Sequence, residues 1–145
     1  MQKINELKMV LDSKSVNEGF ARSSVAAFIS QLDPTLEEVS DVKMAVSEAV
    51  TNCIVHAYPS SVGKIYINVS LLEGRKVKIS VRDKGCGILN VKQAMEPLFT
   101  TLGGERAGLG FAVMESFTDK ITVRSKPEKG TTVTMYKTVN GRAEL

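Results

Sequence analysis

Two polar side chains at helical spacing form the first candidate site. The run VSEAVTNCIVHAY at 46–58 reads as a helix and places Glu48 and Asn52 four residues apart, so both side chains project from nearly the same face. Mg²⁺ accepts amide and phosphate oxygens, and a carboxylate near a hydroxyl group takes its proton during phosphoryl transfer. The pair therefore indicates a metal ligand beside a base. The sequence DKGCG at 83–87 follows a predicted strand, and together the two segments suggest an ATP site.

Each of these features has a simpler explanation when it is taken alone. An isolated pair such as Glu48 and Asn52 is more often solvated on a helix surface. Asp83 with its two following glycines is about as often only a turn, since Asp and Gly end strands for conformational reasons. His56 is better explained as a packed or capping side chain than as a ligand. The ordered occurrence of all the motifs on the expected elements favours the functional interpretation.

Composition bounds the class of protein. The chain has 145 residues, 43% of them hydrophobic and 24% charged, which predicts one globular domain over 1–145. A net charge of +3 from 19 basic and 16 acidic residues leaves no long basic block, which argues against direct nucleic-acid binding. The sequence shows no signal-peptide pattern and no stretch of membrane-spanning length. We therefore expect a cytoplasmic protein without membrane association.

The cysteines and the histidine give no metal or nucleophile motif. Cys53 and Cys86 fit no CxxC or metal-ligand spacing, so we predict two free thiols. With His56 as the single histidine, neither a His-rich metal site nor a Cys/His pair is expected.

Hydrophobic periodicity places these motifs on elements. Alternating Leu7, Met9 and Leu11 predict a half-buried strand. Capping boxes at 15–18 and 35–38 predict the starts of two helices, the second running to about residue 56. The apolar stripe of the second helix lies roughly opposite the Glu48 side; it comprises Val39, Val42, Val46, Ala49, Val50, Cys53 and Ala57.

The second half of the chain reads as two strand pairs around a helix. Alternation at 65–71 and 77–81 predicts a hairpin, and 121–124 with 131–137 predicts a closing pair. Between them, the glycine-rich stretch 97–110 is predicted to be a mobile loop and 111–117 a helix. This order predicts an α/β two-layer sandwich with helices packed on one face of a mixed sheet. Neither GxGxxG nor a Walker-type loop occurs, so ATP would bind in another way.

Four motifs in order resemble those of the Bergerat-type ATPases, the superfamily of gyrase, heat-shock chaperone, histidine kinase and mismatch-repair ATP domains. Residues 48–52 resemble the N box, 83–88 the first glycine box, 96–101 (EPLFTT) the F box and 108–110 (GLG) the second glycine box. The GTT at 130–132 fits the final nucleotide-contacting strand. Within that superfamily, EGFARSSVAAFISQLDPT and VSEAVTNCIVHAY are similar to the anti-sigma-F factors of endospore-forming bacteria, the stage II sporulation protein AB family. The resemblance covers nearly the whole chain.

This resemblance implies a homodimeric serine kinase that uses ATP/ADP and Mg²⁺. Such a protein holds the sporulation sigma factor F inactive and phosphorylates a serine of its anti-anti-sigma antagonist. By the same resemblance, Glu48 is the catalytic base and Asn52 ligates Mg²⁺. Asp83 accepts a hydrogen bond from the adenine amino group, and Thr131 supports it.

The resemblance also implies roles for the glycines, the loop and the first helix. Gly85 and Gly87 let backbone approach the base and sugar, and amides near Gly108 and Gly110 meet the phosphates. By the same resemblance, Thr100, Thr101 and Arg106 close over the phosphates. Arg22 on the first helix contacts protein partners.

Two positions depart from the family pattern. Leu102 stands where many F boxes have lysine, and Leu89 stands where the first glycine box often continues with proline. Both departures concern the contacts to the γ-phosphate, and Arg106 is the residue we expect to compensate.

Several function classes remain open at this point. The first is a protein kinase, and the second is a nucleotide-dependent sigma-binding module without significant kinase activity. Glu48 separates them, because a binding module needs no carboxylate beside the metal ligand. The related general-stress anti-sigma serine kinase is a third possibility. A detached histidine-kinase catalytic domain fits less well, since the sequence shows no dimerisation domain with a phosphoacceptor histidine.

Overall fold

The computed structural model of the chain describes residues 2–88, 90–91, 95 and 110–141. The described residues form five strands and three α-helices, with a 3₁₀ turn at Ser30–Leu32 after the first helix and a π-helix at Cys53–Ala57 after the second. The strands are β1 (Lys3–Asp12), β2 (Lys64–Leu72), β3 (Lys76–Asp83), β4 (Lys120–Lys126) and β5 (Gly130–Thr138). The α-helices are α1 (Val16–Ile29), α2 (Leu36–Asn52) and α3 (Phe111–Ser116).

The sheet has the strand order β1-β2-β3-β5-β4. Every pairing among these described strands is antiparallel, so the expectation of a mixed sheet was wrong in this detail. For two of the four pairings the reason is local, because β2–β3 and β4–β5 are hairpins joined by short turns, and such turns connect only antiparallel strands. The two-layer α/β fold itself is confirmed.

The core lies between the sheet and the helices. Alternate residues of the three central strands are buried, as the period of two predicts: Ile65, Ile67, Val69, Leu71, Val77, Ile79, Val81, Val133 and Met135. The helices meet them with Ala21, Val25, Ile29, Val42, Ala45, Val46, Ala49, Val50, Phe111 and Met114. One face of the sheet is therefore covered, and this packing fixes α2 across the strands.

A capping box starts α2 as predicted. The amide of Glu38 donates to Thr35 Oγ1 at 3.1 Å, and the amide of Thr35 donates to Glu38 Oε1 at 2.9 Å. The Glu38 carboxylate also accepts from the amide of Asn140 at 2.7 Å. The start of α2 is therefore tied to the chain that follows β5.

The capping box predicted at Ser15 is not formed. Ser15 has helical backbone angles and makes no side-chain capping bond. The Glu18 carboxylate instead accepts from Ser47 Oγ at 2.8 Å and lies 3.0 Å from Arg22 Nε. Tertiary and helical partners have therefore replaced the local partner that the motif offered, although α1 begins where it was predicted.

The part of the chain that the structure describes contains no helix that could span a membrane.

Candidate active site

The carboxyl end of α2 changes its helical geometry at the candidate site. The α-helix ends at Asn52 and continues as a π-helix over Cys53–Ala57, and π-turns are frequent at functional sites. Glu48 and Asn52 are both half-buried on the last two turns of α2. The predicted helix to about residue 56 is thus present, with a wider final turn that the sequence pattern did not indicate.

Asp83 ends β3 and is buried, with 6% of its surface exposed. One carboxylate oxygen, Oδ1, accepts from the amide of Gly85 at 2.9 Å and from the amide of Thr131 at 3.2 Å. The thiol of Cys53 donates to the other oxygen, Oδ2, at 3.7 Å. The structure therefore brings Asp83, Gly85 and Thr131 together, and it fixes the orientation of the carboxylate from both sides.

The electrostatic environment of this carboxylate has opposing components. Burial raises the pKa of Asp83 above its ordinary value, and the backbone hydrogen bonds from Gly85 and Thr131 act in the opposite direction. Burial and the nearby charge of Asp83 raise the pKa of the Cys53 thiol, so this thiol stays protonated at neutral pH and remains a donor. A buried carboxylate with a defined acceptor oxygen suits recognition of a ligand amino group.

The loop after Asp83 is held on one side by the π-helix and the residue after it. The amide of Lys84 donates to the Tyr58 hydroxyl at 2.7 Å, and that hydroxyl donates to the Lys64 carbonyl at 2.8 Å. The amide of Cys86 donates to the Ala57 carbonyl at 3.1 Å. These bonds join the segment that carries Asn52 to the segment that carries Asp83, so the two candidate functional groups belong to one packed unit.

The β4–β5 hairpin holds the same loop on its other side. The amide of Glu128 donates to the Cys86 carbonyl at 2.6 Å, and the amide of Ile88 donates to Ser125 Oγ at 2.8 Å. Ser125 Oγ in turn lies 2.7 Å from Thr131 Oγ1. The glycine-containing loop is thus bound between two elements that are far apart in sequence.

Gly85 and Gly87 are required by close packing within the chain. A Cβ atom on Gly85 would lie 2.6 Å from the Ala57 carbonyl carbon and closer still to its oxygen. At Gly87 the backbone has φ +74°, and a Cβ atom would lie 2.7 Å from the Lys126 carbonyl carbon. The sequence predicted that these glycines let the backbone approach a ligand closely. In the structure, the atoms nearest to a Cβ atom at either position belong to the protein backbone.

Gly110 connects Glu48 to the third helix. It has φ +67° and precedes α3, and a Cβ atom there would lie 3.1 Å from Glu48 Cδ and would overlap Oε2. The structure therefore places the candidate base against the residue predicted to end the second glycine box. The other predicted loop residues, Thr100, Thr101, Arg106 and Gly108, lie outside the described residues, as do Leu89 and Leu102.

Arg22 lies on α1, apart from the residues around Asp83. Its Nε atom lies 3.0 Å from Glu18 Oε2, and 43% of its side chain remains exposed. Arg22 is partly exposed and can contact a partner protein, and the role predicted for it remains a prediction.

Sequence reasoning missed three residues that build the site. Tyr58 follows the helical stripe without any periodic signal, and Ser125 occupies an ordinary strand position. Cys53 was assigned to the core, which is correct, but its contact with Asp83 depends on how α2 packs across β3. No sequence pattern indicates these roles.

The donor set suits a magnesium ion only together with a nucleotide. Among the residues described, no group of three or more His, Cys, Asp or Glu side chains is placed to hold a metal. Mg²⁺ commonly uses few protein ligands, several waters and the phosphates of its substrate. The amide of Asn52, half-buried one turn from Glu48, fits such a single protein ligand.

The fold and this site define a nucleotide-binding domain of the histidine kinase-like ATPase class. The model of the histidine kinase-like ATPase domain family matches residues 12–137. Within that class, the chain belongs to the anti-sigma F factor family. It is 54% identical over 138 residues to the anti-sigma F factor of Caldanaerobacter subterraneus subsp. tengcongensis, which covers 94% of this chain and 96% of that protein.

A further relative agrees with this assignment, and two solved structures share the fold. The anti-sigma F factor of Bacillus velezensis is 48% identical over 135 residues, covering 92% of both chains. The solved RsbU and RsbW domains of a Mycobacterium tuberculosis protein superpose with a TM-score of 0.69 at 20% identity, over 94% of this chain and 32% of that one. The histidine kinase domain of an Erythrobacter litoralis blue-light-activated kinase gives 0.57 at 18% identity, over 84% and 61%. The two structural likenesses establish the shared fold.

Proposed function

We propose that this protein is an ATP-dependent anti-sigma factor and serine kinase. In this proposal it binds and inhibits a sporulation sigma factor F and phosphorylates a serine of the anti-anti-sigma antagonist. Asp83 would accept a hydrogen bond from the adenine amino group of ATP, and Asn52 would hold the Mg²⁺ ion, which supplies positive charge to the phosphates. Glu48 accepts the proton of the attacking serine hydroxyl.

One observation carries the kinase part of this proposal. The Glu48 carboxylate lies one helical turn from Asn52 and against Gly110, on the helix whose continuation is bonded to the loop after Asp83. A base, a metal ligand and an adenine acceptor are thereby supported by one packed unit. Phosphoryl transfer depends mainly on such positioning, whereas a module that only binds nucleotide does not require Glu48.

The main alternatives differ in partner and in chemistry. A general-stress anti-sigma serine kinase would share this fold and differ in its partner. The identities of 48–54% to anti-sigma F factors favour sigma factor F as the partner. A sigma-binding module without kinase activity remains the other alternative. Glu48 argues against it, because such a module would not require this carboxylate.

We also propose a homodimer that acts in the cytoplasm. Support for self-association comes from exposed apolar side chains on β1, an edge strand of the described sheet, and on the neighbouring α1: Ile4, Val10, Val16 and Phe20. Burying such side chains between two copies would remove apolar surface from water. Light scattering of the purified protein measures the mass directly, and a monomer at micromolar concentration would contradict this part.

The decisive test is phosphate transfer from γ-labelled ATP. The protein is incubated with Mg²⁺ and the antagonist, and the matched control is an antagonist with its target serine replaced by alanine. We expect label on the wild-type antagonist alone. Binding of sigma factor F without any labelling would support the binding module, and preference for a general-stress sigma factor would support that kinase instead.

A further inference from the structure

A network of short hydrogen bonds centres on the hydroxyl of Ser125 on β4. Ser125 Oγ accepts from the amide of Ile88 at 2.8 Å and is placed to donate to the Gly130 carbonyl at 3.1 Å. It also lies 2.7 Å from Thr131 Oγ1, a contact in which either hydroxyl can donate. Ser125 and Thr131 are directly opposite each other in the β4–β5 pairing. Thr131 is also the residue whose amide donates to Asp83. The network therefore ends beside the carboxylate that is expected to bind a nucleotide base.

Counting protons defines what the Thr131 hydroxyl can do. Ser125 has one hydroxyl proton, and both the Gly130 carbonyl and Thr131 Oγ1 are within reach of it. The contact to Thr131 at 2.7 Å has the usual length of an O–H···O bond, and the Ser125 proton can be given either to it or to the Gly130 carbonyl. When Ser125 donates to Thr131, the proton of Thr131 is left for another acceptor. A ligand bound against Asp83 would be that acceptor.

A free donor at this position matters because a carboxylate alone does not distinguish purines. Adenine donates to it from the amino group at C6, and guanine donates from N1–H and from its amino group at C2. The two bases differ at N1, which accepts a hydrogen bond in adenine and donates one in guanine. A donor beside the carboxylate therefore favours adenine and leaves two donors facing each other when guanine binds.

We propose that Ser125 is a positioning residue for base selection, acting through Thr131. By donating to Thr131 Oγ1, Ser125 directs the Thr131 proton toward N1 of the bound base, so the pair Asp83 and Thr131 reads the acceptor–donor edge of adenine. This inference rests on the proposed ATP site. It adds the residue that sets the donor direction and hence the preference for adenine over guanine.

The test compares ADP with GDP, each with Mg²⁺, by titration calorimetry. The variants are Ser125→Ala, Thr131→Val, the double variant, and Ser125→Thr, which keeps a hydroxyl. Thr122→Ala, a hydroxyl removal on the exposed side of β4, is the matched control. We expect wild type to prefer ADP, and each single variant without a hydroxyl to lower the ADP-to-GDP affinity ratio by about tenfold, as for one oriented hydrogen bond.

The double variant separates base selection from loop anchoring. If Ser125 acts through Thr131, the ratio in the double variant matches that of Thr131→Val, and Ser125→Thr retains the wild-type ratio. Loss of the anchor to Ile88 alone would weaken ADP and GDP equally, and that result would overturn the proposal. An unchanged ratio in Thr131→Val would overturn it even if Ser125→Ala failed to fold. Wild type that binds no ADP would overturn the proposed function itself, and this inference with it.

Discussion

Gly110 lies directly against the carboxylate of Glu48. A Cβ atom at residue 110 would overlap Glu48 Oε2 and lie 3.1 Å from Cδ. Gly110 directly precedes α3 and therefore borders the group proposed as the base. Because residue 110 has no side chain, the Glu48 carboxylate can occupy its observed position. A side chain at residue 110 would displace the Glu48 carboxylate, so we expect such a change to reduce phosphate transfer as well as stability.

Replacing Glu48 by glutamine is expected to separate chemistry from binding. The amide keeps the size of the carboxylate but cannot accept the serine proton, so single-turnover transfer to the antagonist should slow by about 10²- to 10⁴-fold. ADP binding should persist because Asn52 and Asp83 are unchanged. Glu37→Gln, on the exposed first turn of α2, is the matched control. Transfer at the wild-type rate in Glu48→Gln would assign the base elsewhere.

Replacing Asp83 by asparagine is expected to reduce nucleotide stabilisation severely while keeping the fold. The asparagine oxygen can still accept from the amides of Gly85 and Thr131, but its NH₂ group opposes the adenine amino group. Wild type should gain about 2.7 kcal/mol at 100 times the dissociation constant of ADP, and this gain should shrink in the variant. The measurement is the thermal midpoint with and without ADP.

The sign of the effect on the unliganded protein follows from the raised pKa of Asp83. A group whose pKa is raised on folding contributes stability below its unfolded pKa, and this contribution is lost as pH rises through the folded pKa. Above the folded pKa the contribution is absent, so in that pH range the neutral asparagine should leave the unliganded midpoint unchanged or higher. A marked fall in that midpoint would show that the carboxylate is needed for folding.

Gly87 and Gly74 form a matched pair for measuring close packing at the site. Their φ angles are +74° and +79°, but a Cβ atom meets nothing within 4 Å at Gly74, whereas at Gly87 it meets Lys126 backbone. Gly74→Ala should cost about 1–2 kcal/mol of backbone strain. Gly87→Ala should cost about 1–3 kcal/mol more from overpacking and should weaken ADP binding. Equal losses of unfolding free energy in urea would contradict the packing argument.

Arg22→Ala is expected to weaken binding to a protein partner without touching the nucleotide site. Arginine is enriched among interface hot spots, where truncation costs about 2 kcal/mol or more, so affinity for the sigma factor or the antagonist should fall at least about tenfold. Arg82→Ala, on the opposite face of the sheet and stacked 4.7 Å from the Tyr66 ring centroid, is the control. Lost ADP binding in Arg22→Ala would make Arg22 structural, and unchanged affinity for both proteins would remove it from the interface.

The sequence predicted correctly those features that depend on interactions between residues close together in the chain. Alternation along 65–71 and 77–81 predicted β2 and β3 because a half-buried strand repeats every two residues. The Thr35 capping box was found because its partners lie three residues apart. The capping box predicted at Ser15 was wrong, because the Glu18 carboxylate binds Ser47, 29 residues away in the chain, instead of the Ser15 amide.

The sequence by itself determined the order of the motifs, the elements that carry them and the family, because these depend on residue types at short spacings. Only the tertiary structure decided which groups touch. Asp83 meets Cys53 across 30 residues and Thr131 across 48, and Ile88 meets Ser125 across 37. Those contacts are set by the register of β3 with β5 and by the packing of α2 on the sheet, which no short-range pattern encodes. The carboxylate, the thiol and the two hydroxyls became one site through that packing.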